Sequence, residues 1–306
     1  MVAVADIQIE GTFRSAGTLP PFRGATLRGA LGHHLRKTVC TDLRRSCAAC
    51  FLATSCAYST FFNGTASTDR DFMRLYPYVP QPFMLLVQWQ DPCSVTEGEV
   101  YRYGIRLFGH TEGLFPYVAY ALLQAGETGL GKDRLRYDIL RIAQGDNVLY
   151  EVGGNRISKP VGEDIVWSNT TEPSDLRLSF LTPVRIRSRG QTAEALQLRQ
   201  VIAAALRRIS IMNYFYGSGA PLDKDFVGRC MEQSSQIHVA ADDTTYVSFT
   251  RHSGRQQNRV PMDGLVGHLD FVSVPPKLID ILRLAERIGL GKSTSFGFGN
   301  IRLDYV

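Results

Sequence analysis

The sequence predicts an α+β protein built from two tandem ferredoxin-like domains, each running β-α-β-β-α-β. Three observations carry that prediction. The tetrapeptide Gly-Leu-Gly-Lys occurs twice, in "GETGLGKDRLRYDIL" at 126–140 and in "ERIGLGKSTSFGFGNIRLDYV" at 286–306, with the copies 160 residues apart. A segment with helical apolar spacing precedes each copy, and a segment that alternates like a strand follows it. At 306 residues the chain is long enough for two domains that each bury a core.

The elements ahead of the first copy are a strand at 2–14, a helix at about 21–39, strands at about 83–90 and 99–109, and the helix "FPYVAYALLQAG". The second half repeats the order. The strand "LRLSFLTPVRIR" leads into the long helix "TAEALQLRQVIAAALRRISIMNYFYG", followed by strands near 237–251 and 266–272, a helix from Pro275 and a strand at 297–306. Turn-forming residues in "SNTTEPSD" read as a linker. The expected domains are 1–170, with a four-cysteine segment inserted at 40–56, and 171–306, with a glycine-rich loop at 289–299.

That loop contains Gly-Lys-Ser-Thr, which raises nucleotide binding. A P-loop needs a glycine five positions before the glycine of Gly-Lys and must run from a strand into a helix. Here position 286 is Glu286, the segment before the loop is helical and the segment after it alternates like a strand. No nucleotide triphosphate is therefore expected. The glycines permit a tight helix-to-strand crossing, and Lys292, Ser293 and Thr294 can offer donors to a phosphate. Asp133 replaces Ser293 in the first copy, and a carboxylate weakens phosphate binding, so phosphate contact is expected at the second copy.

The net charge is +5, carried by 28 arginines and only six lysines. Arginine's planar fork suits phosphates, base edges and stacking, which fits an RNA partner; biased composition is the other reading. At "TRHSGRQQNRV", Arg251, Arg255 and Arg259 recur at spacing four with Gln256, Gln257 and Asn258 between them, cations and polar groups of the kind that RNA contact needs. A solvated hairpin is the plainer account of the same stretch. The apolar run "VIAAALRRISIMNYF" is broken by Arg207 and Arg208, and no stretch reaches the roughly 18–20 uncharged residues of a membrane span. With no basic-then-apolar leader either, a cytoplasmic protein with no membrane partner is expected.

Four of the cysteines fall as Cys40-x6-Cys47-x2-Cys50-x5-Cys56. The central C-x2-C is the knuckle that lets two thiolates reach one tetrahedral ion, so a structural zinc is expected, with an iron–sulfur cluster or free thiols as the other readings. Disulfides fit less well in a chain without a secretion signal.

Taken together, "RGATLRGALGHHLRKTVC" with its cysteine cluster, "GETGLGKDRLRY", "SGRQQNRVPMDGLVGHLDF" and "GLGKSTSFGFGNIRL" resemble, in that order, the CRISPR-associated endoribonucleases of the RAMP (repeat-associated mysterious protein) superfamily, whose domains are RRM-like ferredoxin folds. The resemblance implies a sequence-specific, metal-independent ribonuclease that needs no catalytic cofactor and cuts precursor CRISPR RNA within its repeats. The RNA's own 2′-hydroxyl is then the nucleophile, and the products carry a 5′-hydroxyl and a 2′,3′-cyclic phosphate or 3′-phosphate. The implied partner is CRISPR repeat RNA, with other CRISPR effector subunits as further candidates. Two alternatives stand beside it: a catalytically silent RAMP subunit holding guide RNA, and a zinc-stabilised RNA-binding module.

The resemblance also implies a catalytic histidine on or near the first helix, which holds His33 and His34. At about 100° per residue, Leu27, Ala30, Leu31, Leu35 and Val39 define an apolar arc, and His34 falls inside it. His33 lies on the face of Thr26, Gly29 and Lys37, where Lys37 at i+4 supplies positive charge. His33 is the first catalytic candidate, with Lys37 beside it and His34 second. The plain readings are a solvated His33 and a hydrogen-bonded core-edge His34. Arg28 and Arg36 of the same helix are assigned to RNA with Arg251, Arg255, Gln256, Arg259, Lys292, Ser293 and Thr294.

Overall fold

A computed structural model describes residues 1–64, 72–73, 79–91, 93–188, 190–253 and 258–306, and for residues 252, 253, 258 and 259 the backbone alone. The chain divides into two compact units. One comprises Val2–Asp164 with Phe215–Gly217, the other Met1 with Ile165–Tyr214 and Ser218–Val306.

The first unit contains β1 (Ala3–Phe13), α1 (Gly24–Val39), β2 (Phe83–Leu86), β3 (Val100–Phe108), α2 (Phe115–Thr128), β4 (Tyr137–Gln144) and β5 (Asn147–Glu151). Its antiparallel sheet runs β2-β3-β1-β4-β5, with Ile7 opposite Ile105 and Ile9 opposite Ile142. Strand β3 separates the two strands that α1 connects, and β1 separates the two that α2 connects, which is the ferredoxin-like arrangement. Alternation in β1 buries Ile7, Ile9 and Phe13 and leaves Gln8 exposed. The apolar face of α1 and that of α2 (Phe115, Val118, Ala121, Leu122, Ala125) are buried, and the two helices pack together. The start of α1 is fixed by Arg23, only 2% exposed, whose Nε lies 3.5 Å from Asp91 and whose guanidinium carbon sits 4.5 Å from the Tyr101 ring centre. Removing one partner of such a buried pair typically costs about 3–5 kcal/mol.

The second unit repeats the topology with β6 (Ser174–Val184), α3 (Leu198–Tyr216, apart from its last two residues), α4 (Lys224–Ser235), β7 (Val239–Ser253), β8 (Asn258–Val274), α5 (Pro276–Ile288) and β9 (Ile301–Tyr305). The sheet order is β7-β8-β6-β9. Among the described residues, no helix is long and apolar enough to cross a membrane.

Four details depart from the sequence reading. Helix α3 starts at Leu198, because Gln191–Thr192 pair with Arg187–Ser188 instead of opening the helix. Helix α4 is an addition, started by Asp223, whose carboxylate accepts the Phe226 N–H at 2.9 Å. β7 and β8 form a hairpin much longer than expected, paired from Val239 opposite Phe271 to Ser253 opposite Asn258, while β8 pairs with β6 only from Leu265 onward. The outer half of the hairpin thus extends beyond the pairing with β6 as a two-stranded ribbon. Finally, the linker is held to the second unit: the buried Asp280 accepts from Ser168 Oγ at 2.8 Å and from the Thr170 N–H at 3.3 Å.

Candidate active site

Helix α1 presents the two histidines to different surroundings. His34 is 7% exposed and shares the buried face with Leu27, Leu31 and Leu35; its Nε2 lies 2.7 Å from Oγ1 of Thr128, the last residue of α2. The Thr128 hydroxyl also lies 3.1 Å from the Gln124 carbonyl, to which it donates as helical threonines do. With that donation made, the tautomer that carries its hydrogen on His34 Nε2 lets the same oxygen accept from the ring. His33 is exposed, and its ring meets that of His34 edge to face, with centres 4.9 Å apart and planes at 85°. Partial burial first, and Lys37 second, push the His33 pKa below its ordinary value. Burial, His33 and Lys37 do the same to His34. Both rings are therefore neutral at pH 7, since the unperturbed value is already about 6.5. A side chain built on Gly29, one turn before His33, would touch nothing within 4 Å, so the surface there is open.

The other cations of α1 face their own chain. Arg36 donates through Nη2 to the carbonyls of Leu43 (2.8 Å) and Arg45 (3.2 Å), holding the loop after the helix. Arg28 donates to Gln81 Oε1 at 3.1 Å and lies over Phe62, 5.1 Å from the ring centre. Lys37 is exposed.

In the second unit the glycine-rich loop runs from α5 to β9 and is laced to the end of β6. The Lys292 N–H donates to Arg185 O (2.9 Å), the Gly299 N–H to Pro183 O (3.0 Å) and the Leu290 N–H to Gly299 O (2.9 Å). Gly291 and Gly299 have φ of 80° and 75°, and a Cβ on them would lie 2.5 Å from Arg185 O and 2.1 Å from Leu290 O, so only glycine fits. Lys292 is exposed and Ser293 half-buried, whereas Thr294 is 5% exposed and turned inward. The hairpin covers this loop with two ring contacts. Arg251 lies 4.5 Å from the Phe296 ring centre, and the Phe249 and Phe298 rings are 6.0 Å apart. Arg185 is neutralised by Asp263 at 2.8 Å, a carboxylate that also accepts from Tyr246 OH at 3.2 Å. Arg251 pairs with no acid among the described residues, and its buried Nε has no hydrogen-bond partner there. Arg255, Gln256 and the Arg259 side chain fall outside the described residues.

The first glycine turn is tighter. Leu130 and Leu135 exchange both backbone hydrogen bonds at 2.9 Å, and Asp133 accepts from Thr18 Oγ1 at 2.8 Å, so that carboxylate braces the short Gly17–Thr18 strand.

The zinc expectation is not supported. The C-x2-C knuckle does form, with the Cys50 N–H donating to Cys47 O at 3.2 Å in a 3-10 turn. All four cysteines, Cys40, Cys47, Cys50 and Cys56, border one cavity of 640 Å³. Yet among the described residues no three His, Cys, Asp or Glu side chains gather into a metal-holding group, and the cysteines stand as free thiols. Thr128 was missed in the sequence; its only signal was its place directly before the Gly-Leu-Gly-Lys repeat.

Two family models match the chain. Residues 2–161 match AF_1859_N, an N-terminal domain, and residues 178–301 match the CRISPR-associated endoribonuclease Cas6. A protein of Archaeoglobus fulgidus, itself uncharacterized, is 23% identical over 299 residues, covering 93% of this chain and 92% of its own. Among solved structures, a product complex of Thermus thermophilus Cas6 is similar with a TM-score of 0.59 at 15% identity, covering 99% of this chain and 100% of the other. A RAMP protein binding different RNA substrates is similar with a TM-score of 0.51 at 9% identity, covering 98% and 99%. At these identities the solved structures speak for the fold.

Proposed function

We propose that this chain, a CRISPR-associated RAMP-type endoribonuclease by the family match of residues 178–301, cuts precursor CRISPR RNA within the repeat, using the RNA's own 2′-hydroxyl as nucleophile. The observation that carries this reading is the place of His33, an exposed imidazole on α1 with Lys37 one turn away, its pKa lowered by partial burial and by Lys37. A neutral imidazole can take the proton of the 2′-hydroxyl as the 2′-oxygen attacks the adjacent phosphorus. Charge that builds on the phosphate oxygens meets the Lys37 ammonium. The bond to the 5′-oxygen breaks, that oxygen takes a proton from water and leaves as a 5′-hydroxyl, His33 gives the proton it took back to solvent, and the 2′-oxygen remains in a 2′,3′-cyclic phosphate. Every bond and proton in this step is assigned to RNA, His33, Lys37 and water, so the reading gives a metal ion no role.

The second domain contributes to binding. Lys292 and Ser293 offer donors at the loop surface, and Arg251, placed over the Phe296 ring and without an acidic partner among the described residues, offers a cation to an RNA phosphate. Arg255, Gln256 and Arg259 extend the same ribbon in sequence and are assigned to RNA with it.

Incubating the protein with labelled repeat RNA in excess chelator and mapping both product ends tests the proposal. A single cut leaving a 5′-hydroxyl is expected. A tight complex that never cuts would instead identify a subunit that only holds RNA.

A further inference from the structure

The cavity beside the cysteine loop remains unused by the reaction above. Its 640 Å³ falls within the roughly 300–1,000 Å³ of small-molecule sites. One wall is the end of α1: Thr38 and Val39 border it, and Thr38 Oγ1 donates to the His34 carbonyl at 2.9 Å. Thr38 lies about 7.5 Å along the helix axis from His33. Aromatic side chains border the cavity too. Phe51 is 88% exposed and Tyr117, from α2, is 49% exposed, both bordering the cavity. With Leu52, 49% exposed and bordering the same cavity, they make a shared apolar patch, and such patches, unlike scattered residues, mark contact surfaces.

The charges decide what the contact is. Arg45 lies 5.1 Å from the Phe51 ring centre and also borders the cavity. Arg44 is 96% exposed; its nearest acid, Asp42, is half-exposed and 3.9 Å away, which is too weak to neutralise it. Arg36 supports the loop from behind by holding the carbonyls of Leu43 and Arg45. Aromatic faces next to exposed arginines are how proteins hold unpaired bases, rings stacking on rings and cations meeting the backbone.

We propose that this cavity takes an unpaired nucleobase of the RNA substrate, close in the chain to the scissile phosphate, stacked against Phe51 and Tyr117 with its phosphate on Arg44 or Arg45. This deepens the function proposed above and rests on RNA being the substrate. The thiols then form soft, polarizable borders of a base site.

The test measures affinity for repeat RNA and for the same RNA carrying a single abasic nucleotide at each position around the cut. Wild-type protein should lose about tenfold in affinity at one position, the loss of one stacked base. Phe51→Ala should lose about tenfold on intact RNA and nothing further at that position, while losses elsewhere add normally. With so exposed a side chain its melting temperature should not move, and Tyr117→Ala should show the same coupling more weakly. If Phe51→Ala and Tyr117→Ala both bind intact RNA like wild type, the cavity serves another partner and the inference is overturned; uniform additivity at every position overturns it too. The outcomes separate the two claims. Wild type that cuts repeat RNA while Phe51→Ala binds normally defeats only this inference, whereas wild type that neither binds nor cuts repeat RNA defeats the proposed function as well.

Discussion

In the first domain α2 ends at Thr128 and Gly129 turns with φ 85° and ψ 161°; in the second α5 ends at Ile288 and Gly289 turns with φ 82° and ψ 155°. A fully buried leucine follows each, Leu130 and Leu290. In each, a buried side chain from the domain's first helix reaches the last helical residue. His34 contacts Thr128 Oγ1 in the first, and Arg208 Nε donates to Ile288 O at 3.0 Å in the second. After the turn the copies diverge: Leu130 closes on Leu135, whereas Leu290 closes on Gly299 around a longer loop that brings Lys292 to the surface. One joint has thus been used twice. In the second domain it is a packing joint, with a guanidinium at a helix C-terminus where positive charge is favoured. In the first it steadies a histidine pair.

Substitutions that treat the halves differently can break this comparison, and the largest effect belongs to the histidines. His33→Ala should lower the single-turnover cleavage rate by about 10²–10⁴-fold while leaving RNA affinity within about twofold. Gly299→Ala should destabilise by about 2–4 kcal/mol in chemical denaturation, because its Cβ would meet Leu290 O at φ 75°. Gly131→Ala, where only the Leu19 side chain is near, should cost less. Thr128→Val should reduce cleavage about tenfold with affinity unchanged, with Thr128→Ser restoring it, since the hydroxyl holds the His34 ring against which His33 packs. Lys292→Ala should weaken RNA binding about fivefold and flatten its salt dependence, against no measurable change for Lys132→Ala on the shorter turn. The smallest effect is on pH. His33 acts in its neutral form and its pKa is lowered, so cleavage should rise with pH and reach its plateau early, with a midpoint below the usual histidine value. Lys37→Ala removes one of the two causes of that lowering, and the midpoint should move up.

Much of this was legible in the sequence because it is periodic. Alternation and helical spacing locate the sheet strands and the helices that pack on them, and the apolar arc of α1 places His34 on the buried face. Contacts between distant segments were not legible. Thr128 meets His34 across 94 positions of chain, and no local pattern announces it. Arg36 looked like an RNA cation because its partners are backbone carbonyls, which carry no sequence signature. Helix α4 was hidden by a weak apolar face, buried only at Cys230 and Ser234. The cysteine spacing encoded a real knuckle at Cys47 and Cys50, but spacing does not say whether Cys40 and Cys56 close a tetrahedron on it.

The central claim is that the nucleophile belongs to the RNA. Replacing the single ribose next to the scissile phosphate by 2′-deoxyribose and measuring binding and cleavage of that substrate tests it most directly. The account predicts affinity within about twofold of the all-ribose RNA and no cut at that site. Cleavage of the 2′-deoxy substrate at the normal rate would contradict it.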